Sequence, residues 1–293
     1  MTQPGGRTRV TALVPTYNGE AFLKRTLDSL AAQTWQELEI LIGDDCSSDA
    51  TPEIVRAFAE EHANVVVVER ESNLGWLRNS NDLMARASGE LLFFAFHDDV
   101  VAPTYVERLA EALESRPGAV MAFSDMLVTE PDGETSPAVF DLLSSAHTAL
   151  ARGRVMARRP DNWWVPNRGL FRASAFRRVG GIHPNTHGEY SADWTWLLHL
   201  ALLGDFVRVP ETLCHKHYQR TSLSKAWPHS PEQQEALRRA GAAEVRASSA
   251  GPWVKLVLVT RLRWDLRRRV WQVLRRTLGP MRRRTRQLGS RQV

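Results

Sequence analysis

The sequence predicts an α/β fold with a mostly parallel central sheet flanked by helices, and three observations carry that prediction. A unit of short apolar run, polar turn and amphipathic stretch repeats four times in the first hundred residues. The runs are continuously apolar, as strands buried on both faces are. The chemically rich turns, at 15–19, 43–49 and 97–99, follow those runs directly, which puts them at the carboxyl ends of strands, where sheets of this kind bind ligands.

In order, Arg9 to Val14 is β-branched enough for a first strand and breaks at Pro15-Thr16-Tyr17-Asn18-Gly19. Leu23, Leu27, Leu30 and Ala31 then share a helix face. Leu38 to Ile42 is a second strand, ending in Gly43-Asp44-Asp45-Cys46-Ser47-Ser48-Asp49. Thr51-Pro52 supplies a cap and a first-turn proline to the next helix, and Val65 to Val68 a third strand. After Asn73-Leu74-Gly75 comes a helix to about Ala87, then a fourth strand, Leu91 to Phe96, running into His97-Asp98-Asp99. Pro103 opens another helix, and Val120 to Val128 is a further strand. From Glu134 to about Arg159 no periodicity stands out. Ser191 is placed to cap a helix carrying Asp193 in its first turn, and Phe206 to Val209 reads as an edge strand before Pro210.

Composition narrows the class. With 43% hydrophobic and 24% charged residues the chain is globular, not disordered. Two cysteines, Cys46 and Cys214, rule out a disulfide framework or a cysteine-based zinc site and fit a reducing cytosol. Met1 to Arg9 has no apolar core, so no signal peptide is expected, nor does any run reach the roughly 18 apolar residues of a membrane span. The net charge of +5 is unevenly spread: residues 252–293 carry +12, which leaves −7 on the other 251. Such a split gives body and tail different partners.

Neither G-x-G-x-x-G nor G-x-x-x-x-G-K-[ST] occurs, which disfavours dinucleotide-binding dehydrogenases and P-loop nucleotidases. The turns offer instead Tyr17, able to stack on a base, and Asp45, able to accept from a base N–H. Adjacent carboxylates such as Asp98 and Asp99 repel unless a cation or hydrogen-bonding ligand offsets them; at a strand end they can hold a divalent metal with phosphate oxygens. Solvated turn polarity explains each feature equally well in isolation.

Taken together, these blocks resemble the inverting family 2 glycosyltransferases of GT-A fold. The carrying residues are Val14-Pro15-Thr16-Tyr17-Asn18-Gly19, Ile42 through Thr51, Asn73-Leu74-Gly75 and Phe96-His97-Asp98-Asp99, with a looser likeness to about residue 225 through Gly169-Leu170-Phe171-Arg172, Asp193-Trp194 and Ser222-Leu223-Ser224. The resemblance implies a donor site for a nucleotide-diphospho-sugar built from Pro15, Tyr17, Asn18, Asp45, Asn73, Gly75 and Asp98. It also implies Mg2+ or Mn2+ held mainly by Asp99 with Asp98 beside it, and Asp193 as the base that deprotonates an acceptor hydroxyl. Trp163, Trp164 and Trp194 are candidates for packing on sugar faces, or equally for the core. The chain departs from the pattern at His97, where relatives often carry a carboxylate. Cys46 replaces a usual glycine, so a backbone avoiding positive φ is expected there, and His215 and His217 stand where a further metal or phosphate contact sometimes lies.

The expected organisation is a GT-A domain over 1–225, with a nucleotide-binding half at about 8–128 and an acceptor half at about 129–225. A linker and a basic amphipathic helical tail follow over 226–293: Ser230-Pro231 with Gln233 starts a capped helix, Ala240 to Gly251 reads as a small-residue linker, and a helix from Pro252 to Leu278 interleaves tryptophans with arginines. That tail suits in-plane binding to an anionic membrane surface and disfavours nucleic acid, since no folded reading module accompanies it. The expected activity is metal-dependent, inverting transfer to a glycan, lipid-linked or small-molecule acceptor in cell-envelope or polysaccharide synthesis, on the cytoplasmic face of the membrane. A sugar-nucleotidyltransferase and a catalytically silent membrane-associated adaptor are the rivals.

Overall fold

The computed structural model describes residues 7–218 and 227–263. Strands β1 (Val10–Thr16), β2 (Leu38–Asp44) and β3 (Val65–Glu69) pair in parallel, linked by helices α1 (Leu23–Ala31) and α2 (Thr51–Glu61). Helix α3 (Trp76–Arg86) then carries the chain back to β4 (Leu91–Phe94), which pairs in parallel with the other edge of β1. The strand order therefore reverses at β1, and the crevice between the ends of β1 and β4 is the place a ligand is expected.

Beyond β4 the sheet becomes mixed. Strand β5 (Asp99–Val101) and helix α4 (Tyr105–Glu114) lead to the long β6 (Ala119–Thr129), paired with the short β7 (Thr135–Ala138). Helix α5 (Ala149–Arg158), a 3-10 turn (Val165–Arg168), β8 (Leu170–Arg172), α6 (Ala173–Val179), α7 (Ala192–Leu203), β9 (Asp205–His217) and α8 (Pro231–Ala247) complete the named elements. The sheet runs β3-β2-β1-β4-β8-β6-β9-β5, with β8 antiparallel to both neighbours. This is the helix-flanked α/β sheet that the sequence predicts, with an antiparallel insertion around β8.

Three sequence expectations change. First, the edge strand expected over Phe206–Val209 is the start of a longer one: those residues pair with β6 alone, but β9 continues past Pro210, and Cys214–Lys216 lie between β6 and β5. Pro210 is accommodated because the register slips there, from Val209 opposite Ser124 to Thr212 opposite Asp125, and a bulge spares the N–H that proline lacks. Second, helix α5 lies in the stretch without visible periodicity. Its buried positions are Arg152, Gly153, Met156 and Ala157; Arg152 gives its Nε–H to the carbonyl of Ala201 at 2.7 Å and pairs with Asp205. A stripe of arginine and glycine carries no hydrophobic period.

Third, residue 226 does not mark the edge of the core, and 240–251 is not a linker. Helix α8 opens with the expected capping box between Ser230 and Gln233 and runs unbroken to Ala247. Leu237, Ala242 and Val245 belong to the main core, as do Leu258 and Leu262 of the helical residues 252–263. The small residues serve packing: a Cβ on Gly241 would lie 2.8 Å from the Trp194 ring. Glu244, itself buried, accepts from Nδ1 of His199 at 2.7 Å and is bonded by His183 Nδ1 at 2.8 Å, pinning α8 to α7 and to the loop after α6. The expected tail helix beyond 263 lies outside the described residues.

Candidate active site

The β1–β4 crevice opens into a cavity of about 740 Å3 lined on one side by Pro15, Thr16, Tyr17, Asn18, Asp45, Asn73 and Gly75, and on the other by Asn167, Arg168, Ser191, Asp193 and Lys216. Phe96, His97 and Asp98 form part of its floor. Residues nearly two hundred positions apart thus meet at one sheet edge.

The turns on the first side are fastened to one another. Asn18 Oδ1 accepts the Ser48 N–H at 2.9 Å, and Ser47 Oγ accepts the Asn18 N–H at 2.9 Å. Asp45 accepts the N–H of Leu74 at 2.8 Å and of Gly75 at 2.9 Å, so its carboxylate also fixes the 73–75 turn. Gly75 sits at φ 83, and a Cβ there would lie 2.6 Å from Glu189 Oε1. Tyr17 is 47% exposed and free to stack. Cys46, expected to avoid positive φ, adopts φ 63. Two bonds impose it: Asp44 accepts from Ser47 on the far side, and the Asp45 N–H is given to the Thr16 carbonyl at 3.0 Å, offsetting the roughly 1–2 kcal/mol that a left-handed residue costs.

The acidic pair divides. Asp98 lines the cavity and accepts from Lys216 Nζ at 3.0 Å. Asp99, the first residue of β5, is 2% exposed and bonded by Arg168 Nε at 2.9 Å, with Lys216 Nζ at 3.7 Å. Two carboxylates and two cations form a buried square with three ion-paired sides, Asp98–Lys216, Lys216–Asp99 and Asp99–Arg168. Burial opposes the charged form of Asp98, but Lys216 first, then His97 and Arg168, hold its carboxyl below the ordinary range. Of the two expected metal ligands, Asp98 lines the cavity, while Asp99 turns its side chain into the interior and leaves Oδ1 buried without a hydrogen-bond partner. Side chains alternate along a strand, and Lys216, between the expected His215 and His217, is the residue of β9 that reaches the cavity. The two histidine rings instead stack on each other at 4.0 Å, with His215 Nε2 bonded to Thr129 Oγ1 at 2.7 Å.

Asp193, in the first turn of α7, is held by Asn167 Nδ2, which donates to Oδ2 at 3.2 Å. Burial pushes its carboxyl up from the ordinary value, with Arg168 pulling the other way. Ser191 lines the cavity but does not cap α7 with its side chain; its backbone is left-handed at φ 45. Trp194 is a core residue, donating Nε1–H to the Met156 carbonyl at 2.9 Å, whereas Trp163 and Trp164 line the cavity.

Sequence reasoning missed Arg168, Lys216, Asn167 and Glu189. Glu189 accepts the Leu77 N–H at 3.2 Å at the start of α3, and burial raises its carboxyl. Each is identified by a partner remote in the chain, so no local motif marks it.

For a divalent cation, a hard oxygen-seeking ion, one or two carboxylates with substrate phosphates are a sufficient donor set. Asp98 supplies one at the cavity, which fits. Among the described residues no group of three His, Cys, Asp or Glu side chains forms a protein-only site, so the phosphates would have to complete it.

Fold and cavity together define a GT-A-type protein with a ligand crevice at the sheet's switch point. The sequence profile of glycosyl transferase family 2 matches residues 11–164, more than half of the chain, and the chain belongs to that family. It is 36% identical over 101 residues to the glycosyltransferase GlyA of Streptococcus pneumoniae, covering 34% of this chain and 14% of that one. It is 30% identical over 126 residues to the succinoglycan biosynthesis protein ExoO of Rhizobium meliloti, covering 43% and 35%. The chain thus spans about a third or less of these relatives' length. In three dimensions it is similar to S. aureus TarS 1–349 in complex with UDP-GlcNAc (TM-score 0.69, 19% identity, 87% of this chain and 71% of that one). It is also similar to the mannosyltransferase PcManGT of Pyrobaculum calidifontis in complex with GDP-Man and Mn2+ (TM-score 0.59, 22% identity, 87% and 69%).

Proposed function

We propose that this chain transfers a sugar from a nucleotide-diphospho-sugar to an acceptor hydroxyl with inversion at the anomeric carbon. The observation that carries the reading is Asp193: a half-buried carboxylate with a raised pKa, across one cavity from the linked turns of Tyr17, Asp45 and Asn73. The turns would hold the nucleoside, Tyr17 by stacking and Asp45 by accepting from the base with lone pairs its two backbone donors leave over. Asp193 would take the proton from the acceptor hydroxyl as its oxygen attacks the anomeric carbon opposite the leaving diphosphate. A base with a pKa raised toward the working pH suits that task. Asn167 would keep the receiving oxygen aimed. Lys216 and Arg168 would place positive charge beside the diphosphate as the sugar–oxygen bond breaks.

Asp98 would hold Mg2+ or Mn2+, exchanging its bond to Lys216 for one to the ion. When bound, such an ion neutralises charge on the departing diphosphate. PcManGT, similar in fold, is known with GDP-Man and Mn2+, which supports the assignment.

Membrane association fits the far end of the described chain. No helix among the described residues is long and apolar enough to cross a membrane. Residues 252–263 instead present Trp253 and Leu256, 68% and 59% exposed, alongside Lys255, Arg261 and Arg263, a composition suited to an anionic surface. A cell-envelope acceptor on the cytoplasmic face follows from that reading. A two-part organisation, donor half before about 128 and acceptor half after it, is part of the same proposal, with the acceptor half extended to 263.

The test is turnover of a nucleotide-sugar panel by the full chain, with and without Mn2+. Release of nucleoside diphosphate with an inverted product is expected. Release of pyrophosphate would make the protein a nucleotidyltransferase, and no turnover with any donor or acceptor would leave the silent adaptor.

A further inference from the structure

A second cavity, of about 760 Å3, opens beside the first and shares Arg159, Trp163, Trp164 and His229 with it. The end of α5, Leu237 and Arg238 of α8, and Leu262 close it on the other side. Asp193 and Trp194 are consecutive, and they line different cavities: the carboxyl faces the first, the indole the second. The two cavities therefore adjoin at Trp163 and Trp164, on either side of the Asp193–Trp194 pair.

The walls are unusually cationic for this body. Arg158, Arg159 and Arg238 line the second cavity with one carboxylate, Asp161, among its lining, and Arg238 is also paired with Glu235 at 3.8 Å, although the chain before residue 252 carries −7 overall. Arg159 is the best defined of the three. Its guanidinium lies 5.5 Å from the Trp163 ring and 5.5 Å from the Trp194 ring, Nη1 donates to Gln234 Oε1 at 2.8 Å, and Nε is buried with no hydrogen-bond partner. Its backbone is left-handed at φ 49. A neutral carbohydrate would be served by the tryptophan faces and amide groups alone. A guanidinium fixed against aromatic rings with a donor unspent, as Arg159 is, and flanked by Arg158 and Arg238, matches planar oxyanions.

We infer that this second cavity binds the acceptor, and that the acceptor is an acidic carbohydrate bearing a carboxylate or phosphate near the hydroxyl that reacts. The inference rests on the glycosyl-transfer reading for the word acceptor, but its binding claim can be tested alone. Short oligomers of glucuronate, of glycerol phosphate and of glucose, matched in length, are titrated by calorimetry into the full chain and into the double variant Arg158→Gln/Arg238→Gln. These two arginines line only the second cavity. At least one acidic oligomer should bind tenfold or more tighter than the glucose oligomer, and which one does identifies carboxylate or phosphate. High salt should erase most of that preference. The double variant should lose about 10- to 100-fold in affinity for the acidic oligomer, the worth of one or two charged hydrogen bonds, while UDP and GDP affinity stays unchanged; the Lys/Lys variant should retain part of the binding. Equal binding of the glucose oligomer, no binding of any oligomer, or an unaltered double variant overturns the inference. Absence of nucleotide-sugar turnover with acidic-oligomer binding intact would instead count against the glycosyl-transfer reading.

Discussion

The two sides of the cleft are built on different principles. The side proposed to hold the donor consists of turns that follow β1, β2 and β3, and its hydrogen bonds run largely from backbone N–H to side chain: Leu74 and Gly75 to Asp45, Ser48 to Asn18. The opposite side consists of charged side chains paired across 69 to 118 residues of sequence, Arg168 with Asp99 and Lys216 with Asp98. The first kind of site tolerates loss of one contact because neighbouring backbone bonds remain. The second does not, since removing one member strands a buried charge.

The largest effect is expected at Asp193. Asp193→Asn keeps the shape and the acceptor for Asn167 but removes the base, and transfer should fall by about 10²- to 10⁴-fold. The folded pKa of Asp193 is raised, so the folded state binds its proton more tightly than the unfolded chain does. Its charged form therefore costs stability at neutral pH, and the cost grows as pH rises through the folded pKa. Asp193→Asn should accordingly melt slightly higher than wild type, by roughly 2 °C, while nearly inactive. In the wild type the rate should fall on the acid side at a pH above the ordinary aspartate value of 3.8. A variant that keeps wild-type rates would remove Asp193 from the mechanism.

Next is the buried square. Arg168→Met leaves Asp99 unpaired except for Lys216 at 3.7 Å and should cost about 3–5 kcal/mol by denaturant unfolding. Adding Asp99→Leu should recover most of that loss, because the stranded charge goes with it. If the single variant unfolds like wild type, the pair is not what holds β5 to the 3-10 turn.

On the donor side the effect should be smaller and confined to binding. Asp45→Asn keeps one acceptor oxygen for the 73–75 turn and sets its NH2 against the other backbone N–H, which loosens that turn by about 1–2 kcal/mol. Nucleotide affinity should drop about tenfold in titration calorimetry, with thermal stability nearly unchanged. A large drop in stability would mean that Asp45 supports the fold as heavily as Arg168 does.

The same contrast explains what could be read in the sequence. The four β–turn–α units and their polar endings were legible because each is local: an apolar run, then turn formers. Pro15, Tyr17, Asn18, Asp45, Asn73 and Gly75 all line one cavity. Asp193 was legible only through family resemblance, and Lys216 was missed because the two histidines beside it drew attention to the wrong face of β9. Arg168 lies in a 3-10 turn of four residues, too short for any period. Helix α8 was read as a partial helix and linker because small residues at 240–242 resemble flexible chain; in space Gly241 is what lets α8 approach the Trp194 ring.

Glu244 offers the mildest way to test whether α8 is part of the acceptor half. Burial works against its charge, but the bonds from His199 and His183 outweigh it and hold the carboxyl below the ordinary glutamate value of 4.5. A depressed folded pKa contributes stability that is present above 4.5 and is lost as pH falls through the folded value. Glu244→Gln should therefore melt a few degrees lower than wild type at pH 7, the worth of about one hydrogen bond, and the gap should close in acid below the folded pKa. Because α8 supplies Leu237 and Arg238 to the second cavity, the same variant should weaken acidic-oligomer binding at pH 7 without altering nucleotide affinity. Equal melting of the two proteins at pH 7 would mean that α8 is seated by its apolar face alone, with the histidine pair incidental.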